Sequence, residues 1–465
     1  MGHRDIKKYI LHCSVFIMVC FLCLFGYIVY LQVIASASLL ANPLNSRGND
    51  ASNIVRGAVI DIHGKKLADS NSPGERSYPY GAVMAPVTGY LGDNIGSDGV
   101  EAMTGSDLIG QSRQMQMLGP IGQAFQADRG NDVRVTVDAD IQELAYNALG
   151  DNRGAVVVLD AETGAVIAMV SKPAIDPSEV EADWNSLKNR KDSPLLNRAA
   201  QGLYPPGSTI KVLIADAALD EKVTDLNEKF NCSGKLQIGN EYIGESHGAV
   251  HGNNLSLRDA MTVSCNVTFG TLAMRMHGDG LKDAFERFGF NEPIGCEFHE
   301  SQCHLPDFAH LGDGDTAQVG IGQGETLVTP LRMAMLASAY VNSGKIMVPY
   351  LVEEIISPSG IVIKKASPQK WREVTSPQRA GIISEFMENV VKNGTGGAAA
   401  VSGVRVTGKT GTAENSGGRD HGWFIGTAEL PKRKIALCII VENSGGGGAV
   451  AAPIASQIIS ALKNR

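Results

Sequence analysis

Apolar positions along the chain follow three different rhythms. From Tyr9 to Leu31 the run YILHCSVFIMVCFLCLFGYIVYL contains no Asp, Glu, Lys or Arg. About 20 apolar residues cross a bilayer core, so this run predicts a spanning helix. Polar, turn-rich sequence follows, and RGAVIDIHGKKLADS, from Arg56 to Ser70, predicts two short strands around the turn His63-Gly64. Glycines and short apolar runs continue to about residue 130. VTVDADIQELAYNALG then predicts a strand, an Asp138 cap and an amphipathic helix with Ile141, Leu144, Ala145 and Ala148 on one face. The segment from Gly154 to Ser171 predicts a hairpin with its turn at Glu162-Thr163-Gly164. Further strands are expected at Val404 to Val406, Trp423 to Ala428 and Ile435 to Val441, then a helix from Ala452 to Leu462. The intervening stretch is dominated by helical periodicity. Strands at both ends of a domain, with helices between, predict an α+β unit with an antiparallel sheet and helices packed on it. The expected division is a tail at 1–8, an anchor at 9–31, a linker at 32–52, a small β-rich amino-terminal domain at 53–135 and a larger domain at 136–465.

Charge refines this layout. Arg4, Lys7 and Lys8 precede the apolar run, and the next basic residue is Arg47. By the positive-inside rule the amino terminus is expected in the cytoplasm and the large domains outside. The run exceeds the 7–15 apolar residues of a typical signal peptide, which favours an uncleaved anchor. The net charge of −8, without a basic stripe, argues against a nucleic-acid surface. Cys13, Cys20 and Cys23 fall in the apolar run; Cys232, Cys265, Cys296, Cys303 and Cys438 do not. Five is odd, so disulfides could not pair them all.

The candidate chemistry centres on YPPGSTIKVLIADAAL, from Tyr204. Pro205, Pro206 and Gly207 interrupt the chain, and a helix is expected from about Ser208. Ser208 and Lys211 are then three apart on one face. A serine hydroxyl needs a neighbouring base, and lysine serves only when burial or a second cation keeps it neutral. A bare S-x-x-K is weak, since Ser367…Lys370 and Ser460…Lys463 match it too and read as solvated pairs. Two further triplets supply context. Ser264-Cys265-Asn266 is the only S-x-N, and Lys409-Thr410-Gly411 is the only K-T-G, with Thr412 following. Lys409 is a second cation able to hold Lys211 neutral and attract a carboxylate. Thr410 and Thr412 offer hydroxyls to that carboxylate, and Gly411 lets a ligand approach the backbone. Ser264 can relay a proton and Asn266 can bond a substrate amide.

In YPPGSTIK, SCNVTFG and GKTGTAEN the chain resembles the monofunctional (class B) penicillin-binding proteins, whose transpeptidase domains carry these motifs in this order. GIGQGETLVTPLRMAMLASAYVNSGK and HGWFIG resemble the segments flanking the third motif, and the short amino-terminal domain resembles the small A-type members. The resemblance implies a penicillin-binding/β-lactamase-like fold and a peptidoglycan D,D-transpeptidase. Ser208 would attack the penultimate D-Ala carbonyl, with Lys211 as base and the N–H groups of Ser208 and Thr412 as oxyanion hole. It also implies β-lactams as inhibitors and a polytopic membrane glycosyltransferase as partner. A D,D-carboxypeptidase differs only in accepting water. A serine β-lactamase shares the first triplet but is usually shorter and soluble. A non-enzymatic β-lactam sensor or wall-assembly scaffold is the remaining alternative.

No cofactor is required by this chemistry. PIGCEFHESQCHLPDF, however, places Cys296, His299 and Cys303 close together, which suits either a structural zinc or a Cys296–Cys303 disulfide. In the zinc case Cys265 could lie nearby. His421, Trp423, Tyr204 and Phe269 are expected to pack or hydrogen-bond rather than react.

Overall fold

The structure, a computed structural model, describes residues 3–31, 54–111, 128–415 and 417–465. The expected linker at 32–52 lies outside the described residues.

The first helix, His3–Val29, contains a 19-residue stretch, Leu11–Val29, with a mean hydropathy of 2.3 and no burial against the rest of the chain. It is long and apolar enough to cross a membrane.

The larger unit is organised by a five-stranded antiparallel sheet in the order 405–413, 421–429, 434–441, 154–160, 166–172. Strand side chains alternate faces, so a sheet covered on both sides needs apolar residues at every position. GAVVVLD and KIALCIIV meet that need. Val156, Val158, Leu437 and Ile439 join one core, with Ile141 and Ala145 of the helix Ala139–Ala148 and Ile458 of the last helix, Gly447–Lys463. Val157, Leu159, Cys438 and Ile440 join the other, with Leu331 and Met335 of the helix Pro330–Val341. Each buried branched side chain contributes about 1.5–3 kcal/mol, so this twofold-covered sheet is a rigid plate. Asp138 caps Ala139–Ala148 through the N–H groups of Asp140 and Ile141, as its sequence predicts.

The smaller unit departs from the expected division. Its strands Val59–Ile60 and Lys66–Ala68 pair antiparallel around the His63-Gly64 turn, and Val59–Ile60 also pairs in parallel with Asp132–Val135. The other edge of Asp132–Val135 pairs antiparallel with Val352–Ile356, which pairs with Val362–Lys365. Residues 352–365 thus complete a sheet begun by 59–135, so a cut at residue 135, although it falls at a strand end, divides a shared sheet. Hydrophobic periodicity marks strands but not their partners, which is why the sequence hid this join. At the centre of the unit the fully buried Glu101 carboxylate accepts from Arg56 Nε at 2.8 Å and Arg76 Nε at 2.6 Å.

Candidate active site

Ser208 lies on a single turn of 3₁₀-helix, Gly207–Ile210, and Lys211 opens the α-helix Lys211–Asp220. The sequence predicted a regular helix from Ser208; Pro206 and Gly207 tighten the entry instead. Gly207 has φ +53°, and a Cβ there would stand 2.5 Å from the Thr412 carbonyl oxygen. That close approach sets Ser208 against the strand Arg405–Ala413. From behind, Gly207 N–H donates to Gly322 O at 2.8 Å, and Tyr204 and Val328 exchange two backbone hydrogen bonds. The GIGQGETLV segment therefore buttresses the nucleophile turn.

Lys211 is completely buried, and its Nζ donates to the Ser264 carbonyl at 2.7 Å and to Asn266 Oδ1 at 2.6 Å. The Ser264 hydroxyl is 3.4 Å away. Lys409, also fully buried, donates to that same hydroxyl at 2.8 Å and to the Thr410 carbonyl at 2.9 Å. Two buried amines therefore share one hydroxyl. Burial pushes Lys211 down to about 8, against the pull of the Glu245 carboxylate. Burial and then the neighbouring Lys211 charge hold Lys409 well below the ordinary lysine range. A pair so placed favours a state with a single positive charge. A neutral amine has two N–H donors and one lone pair. The Ser264 carbonyl and Asn266 can take both donors of Lys211, leaving its lone pair for a proton.

Ser264 adopts φ +63°, ψ +39°, a left-handed conformation uncommon for serine, at the junction of the helices Leu257–Val263 and Asn266–Arg287. This kink turns its carbonyl toward Lys211 and its hydroxyl toward Lys409. Asn266 is held on its other side, its Nδ2 donating to Gly244 O at 2.8 Å.

Residues 405–413 form the outer strand of the main sheet, so one backbone edge is unpaired in that sheet. Thr410 is buried, sharing a 2.6 Å hydroxyl contact with Thr395, and Thr412 is half-buried. A Cβ on Gly411 would press on Thr209 Cγ2 at 2.9 Å and Trp423 Cβ at 3.0 Å, so this glycine is required for the strand to seat on the nucleophile turn. His421 accepts from Asn443 N–H at Nδ1 and meets the edge of Tyr204, while Trp423 and Phe269 are fully buried. Ser208, Lys211, Ser264, Asn266 and Lys409 thus gather around one edge, and Thr395 is an added neighbour that no motif announced.

The expected metal trio is not brought together. Cys296 donates to the Phe298 carbonyl, Cys303 is buried, both are free thiols, and His299 lines a separate cavity of about 780 Å³ between the two units. Burial and the nearby Glu300 carboxylate raise the Cys296 thiol to about 12. Short spacing in sequence suggested a cluster, but the loop spreads these side chains. Among the described residues one group of potential ligands does converge: Cys232, Glu245, His251 and Cys265.

A nucleophile turn, two buried lysines and a serine-asparagine kink on the edge of an antiparallel sheet define a serine acyltransferase of the penicillin-binding kind. Residues 154–460 match the penicillin binding protein transpeptidase domain, and residues 56–129 match the penicillin binding protein A dimerisation domain. The chain belongs to the penicillin-binding protein transpeptidase family. It is 33% identical over 492 residues to the peptidoglycan D,D-transpeptidase PbpA of Mycolicibacterium smegmatis, covering 96% of this chain and 97% of that protein. The structure of penicillin-binding protein A from Mycobacterium tuberculosis, a penicillin G acyl-enzyme complex, superposes with a TM-score of 0.80 at 30% identity, covering 88% of this chain and 99% of that one. The D,D-transpeptidase domain of a peptidoglycan glycosyltransferase from Eggerthella lenta gives a TM-score of 0.80 at 31% identity, covering 89% and 99%.

Proposed function

We propose that this chain is a membrane-anchored peptidoglycan D,D-transpeptidase and β-lactam target that acts through an acyl-enzyme on Ser208. The observation that carries the reading is the pair of buried amines on the Ser264 hydroxyl, set beside Ser208 and an open strand edge. An extended stem peptide adds to that edge by backbone hydrogen bonds. Its terminal carboxylate meets Lys409 and the hydroxyls of Thr410 and Thr412. Ser208 Oγ gives its proton to neutral Lys211 and bonds to the penultimate D-Ala carbonyl carbon. The N–H groups of Ser208 and Thr412 hold the oxyanion. The C–N bond then breaks, and the proton passes through the Ser264 hydroxyl to the departing D-Ala amine. An amine of a second stem peptide attacks the ester, loses a proton to Lys211 and restores the Ser208 hydroxyl.

The anchor helix with Arg4, Lys7 and Lys8 at its start supports an inside amino terminus and an outside catalytic unit. Family resemblance supports a polytopic membrane glycosyltransferase as partner, engaged through the anchor and the smaller unit. Labelling the full chain with a fluorescent penicillin tests the core of the proposal. A stable adduct is expected, absent in Ser208→Ala. Rapid loss of label would instead indicate a β-lactamase, and no label on the folded parent would defeat the acylation claim.

A further inference from the structure

Outside the first helix, the only three consecutive exposed large hydrophobic residues among the described residues are Ile361, Val362 and Ile363, at 66%, 46% and 46% exposure. They belong to a hairpin in which Val352–Ile356 pairs antiparallel with Val362–Lys365. The outer edge of Val362–Lys365 has no strand partner among the described residues. Ile356 faces Val362 and Ile355 faces Lys364, so Ile363 is an extra residue in the register. Such a bulge breaks the alternation of faces and re-aims a side chain. The turn that displays the run is tightly bonded. Gly360 N–H donates to Ser357 O at 2.8 Å, Ser357 N–H to Ile361 O at 2.8 Å, and Ile361 N–H to Ser357 Oγ at 3.0 Å. Gly360 supplies the positive φ, +83°, that the turn needs. A contiguous apolar patch held outward by ordered backbone marks a contact surface.

Strand register fixes which way the turn points. Val362 is level with Ile356, and Ile356 with Asp132. Next to Asp132, Val133 N–H donates to Ala58 O at 2.8 Å, and upstream Val55 bridges Arg129 in parallel. The chain therefore enters this sheet at the same end from which the turn projects. Three strand spacings of about 4.8 Å separate Val59–Ile60 from Val362–Lys365, about 14 Å in all. In sequence only residues 32–53 separate Leu31, at the end of the apolar segment, from Ile54. The apolar turn thus stands beside the point where the tether from the first helix arrives.

We propose that the hairpin 352–365 is a second contact with the bilayer, seating Ile361, Val362 and Ile363 in the headgroup region near the anchor. The proposal rests on the reading of the first helix as a membrane anchor. Tethering makes the contact intramolecular, so a small apolar patch suffices where a free domain would need a larger one. Lys364 and Lys365 follow the apolar residues. Lys365 donates to Glu354 at 3.0 Å, while the exposed Lys364 stands at the margin as a cation for lipid phosphates. The same two lysines disfavour the addition of another strand to this edge, which selects a lipid surface over a second copy. Because Val352–Ile356 joins the larger unit to the smaller one's sheet, seating the hairpin sets the height and tilt of the catalytic unit. It touches no reacting group.

Photocrosslinking of the full chain in nanodiscs of phosphatidylethanolamine and phosphatidylglycerol tests this. Val362→benzoyl-phenylalanine should give lipid adducts at about fivefold or more the yield of Leu226→benzoyl-phenylalanine, a probe on the larger unit at a residue that is 50% exposed. Adding Ile361→Asp and Ile363→Asp should bring the yield down to that of the Leu226 probe. Fluorescent-penicillin labelling should be the same in every variant as in the parent, which a misfolded chain would not permit. Equal lipid yields at the two probe positions overturn the proposal. So do adducts with a second copy, with another protein or within the chain in place of lipid. A chain that stays out of nanodiscs defeats the anchor reading and this contact together. Lipid adducts at Val362 on a chain that penicillin does not label would support the contact and defeat only the catalytic reading.

Discussion

Two buried charge clusters in this molecule follow opposite rules. In the smaller unit the Glu101 carboxylate sits between Arg56 and Arg76, and every charge has an opposite partner. Burial alone would raise the Glu101 carboxyl, but the two guanidinium groups hold it below the usual carboxylate range. In the active site two lysines are buried around a neutral hydroxyl, and neither forms an ion pair among the described residues. In the first cluster every charge touches an opposite charge, and the contact serves stability. In the second the amines have no such contact, and burial holds Lys211 down to about 8, which suits the proposed role of a base at near-neutral pH.

Lys211→Met should break this contrast most visibly. Penicillin acylation should fall by roughly 10²–10⁴-fold, the usual worth of a positioned base. Thermal stability should move by only about 1–2 kcal/mol, because losing two hydrogen bonds is offset by removing a desolvated amine. Arg76→Met should do the reverse. It leaves a buried carboxylate short of one partner, and denaturant unfolding should show a loss of about 3–5 kcal/mol. The acylation rate constant of the remaining folded protein should be unchanged. The smallest effect is graded: the rate constant for acylation should rise about tenfold per pH unit below pH 8 and level off above it, because Lys211 acts only when deprotonated. A flat profile across that range would show that deprotonation of Lys211 does not limit acylation there.

The motifs legible in the sequence were those whose geometry is local. Ser208 and Lys211 are separated by one helical turn, and Ser264 and Asn266 flank one kink, so spacing alone announced their proximity. Lys409 was legible because the third triplet comes just after the strand expected at Val404 to Val406, which in the structure runs on through it as Arg405–Ala413, and glycine marks a close approach. The convergence of Cys232, Glu245, His251 and Cys265 was invisible for the opposite reason. Cys232 and Cys265 are joined in space only after two hairpins, Lys235–Ile238 with Glu241–Gly244 and Phe230–Cys232 with Gly252–Leu255, have folded between them. Cys296, His299 and Cys303 drew attention by being close in sequence, which a loop does not convert into closeness of side chains. The α+β layout followed from strand patterns at both ends of the domain, whereas the crossing of 352–365 into the smaller unit had no periodic signature.

That crossing has a consequence for how the protein can be taken apart. A polypeptide beginning after residue 135 would retain Val352–Ile356 but lose the strand that covers its edge. It would offer a fresh row of unsatisfied backbone groups, the arrangement that recruits other chains into aggregates. A polypeptide ending before residue 350 would in turn strip Asp132–Val135. The two units are therefore one inheritance unit: deletions, fusions and domain exchanges that respect the linear map will cut through a shared sheet, and only those that carry 54–135 together with 352–365 leave it whole.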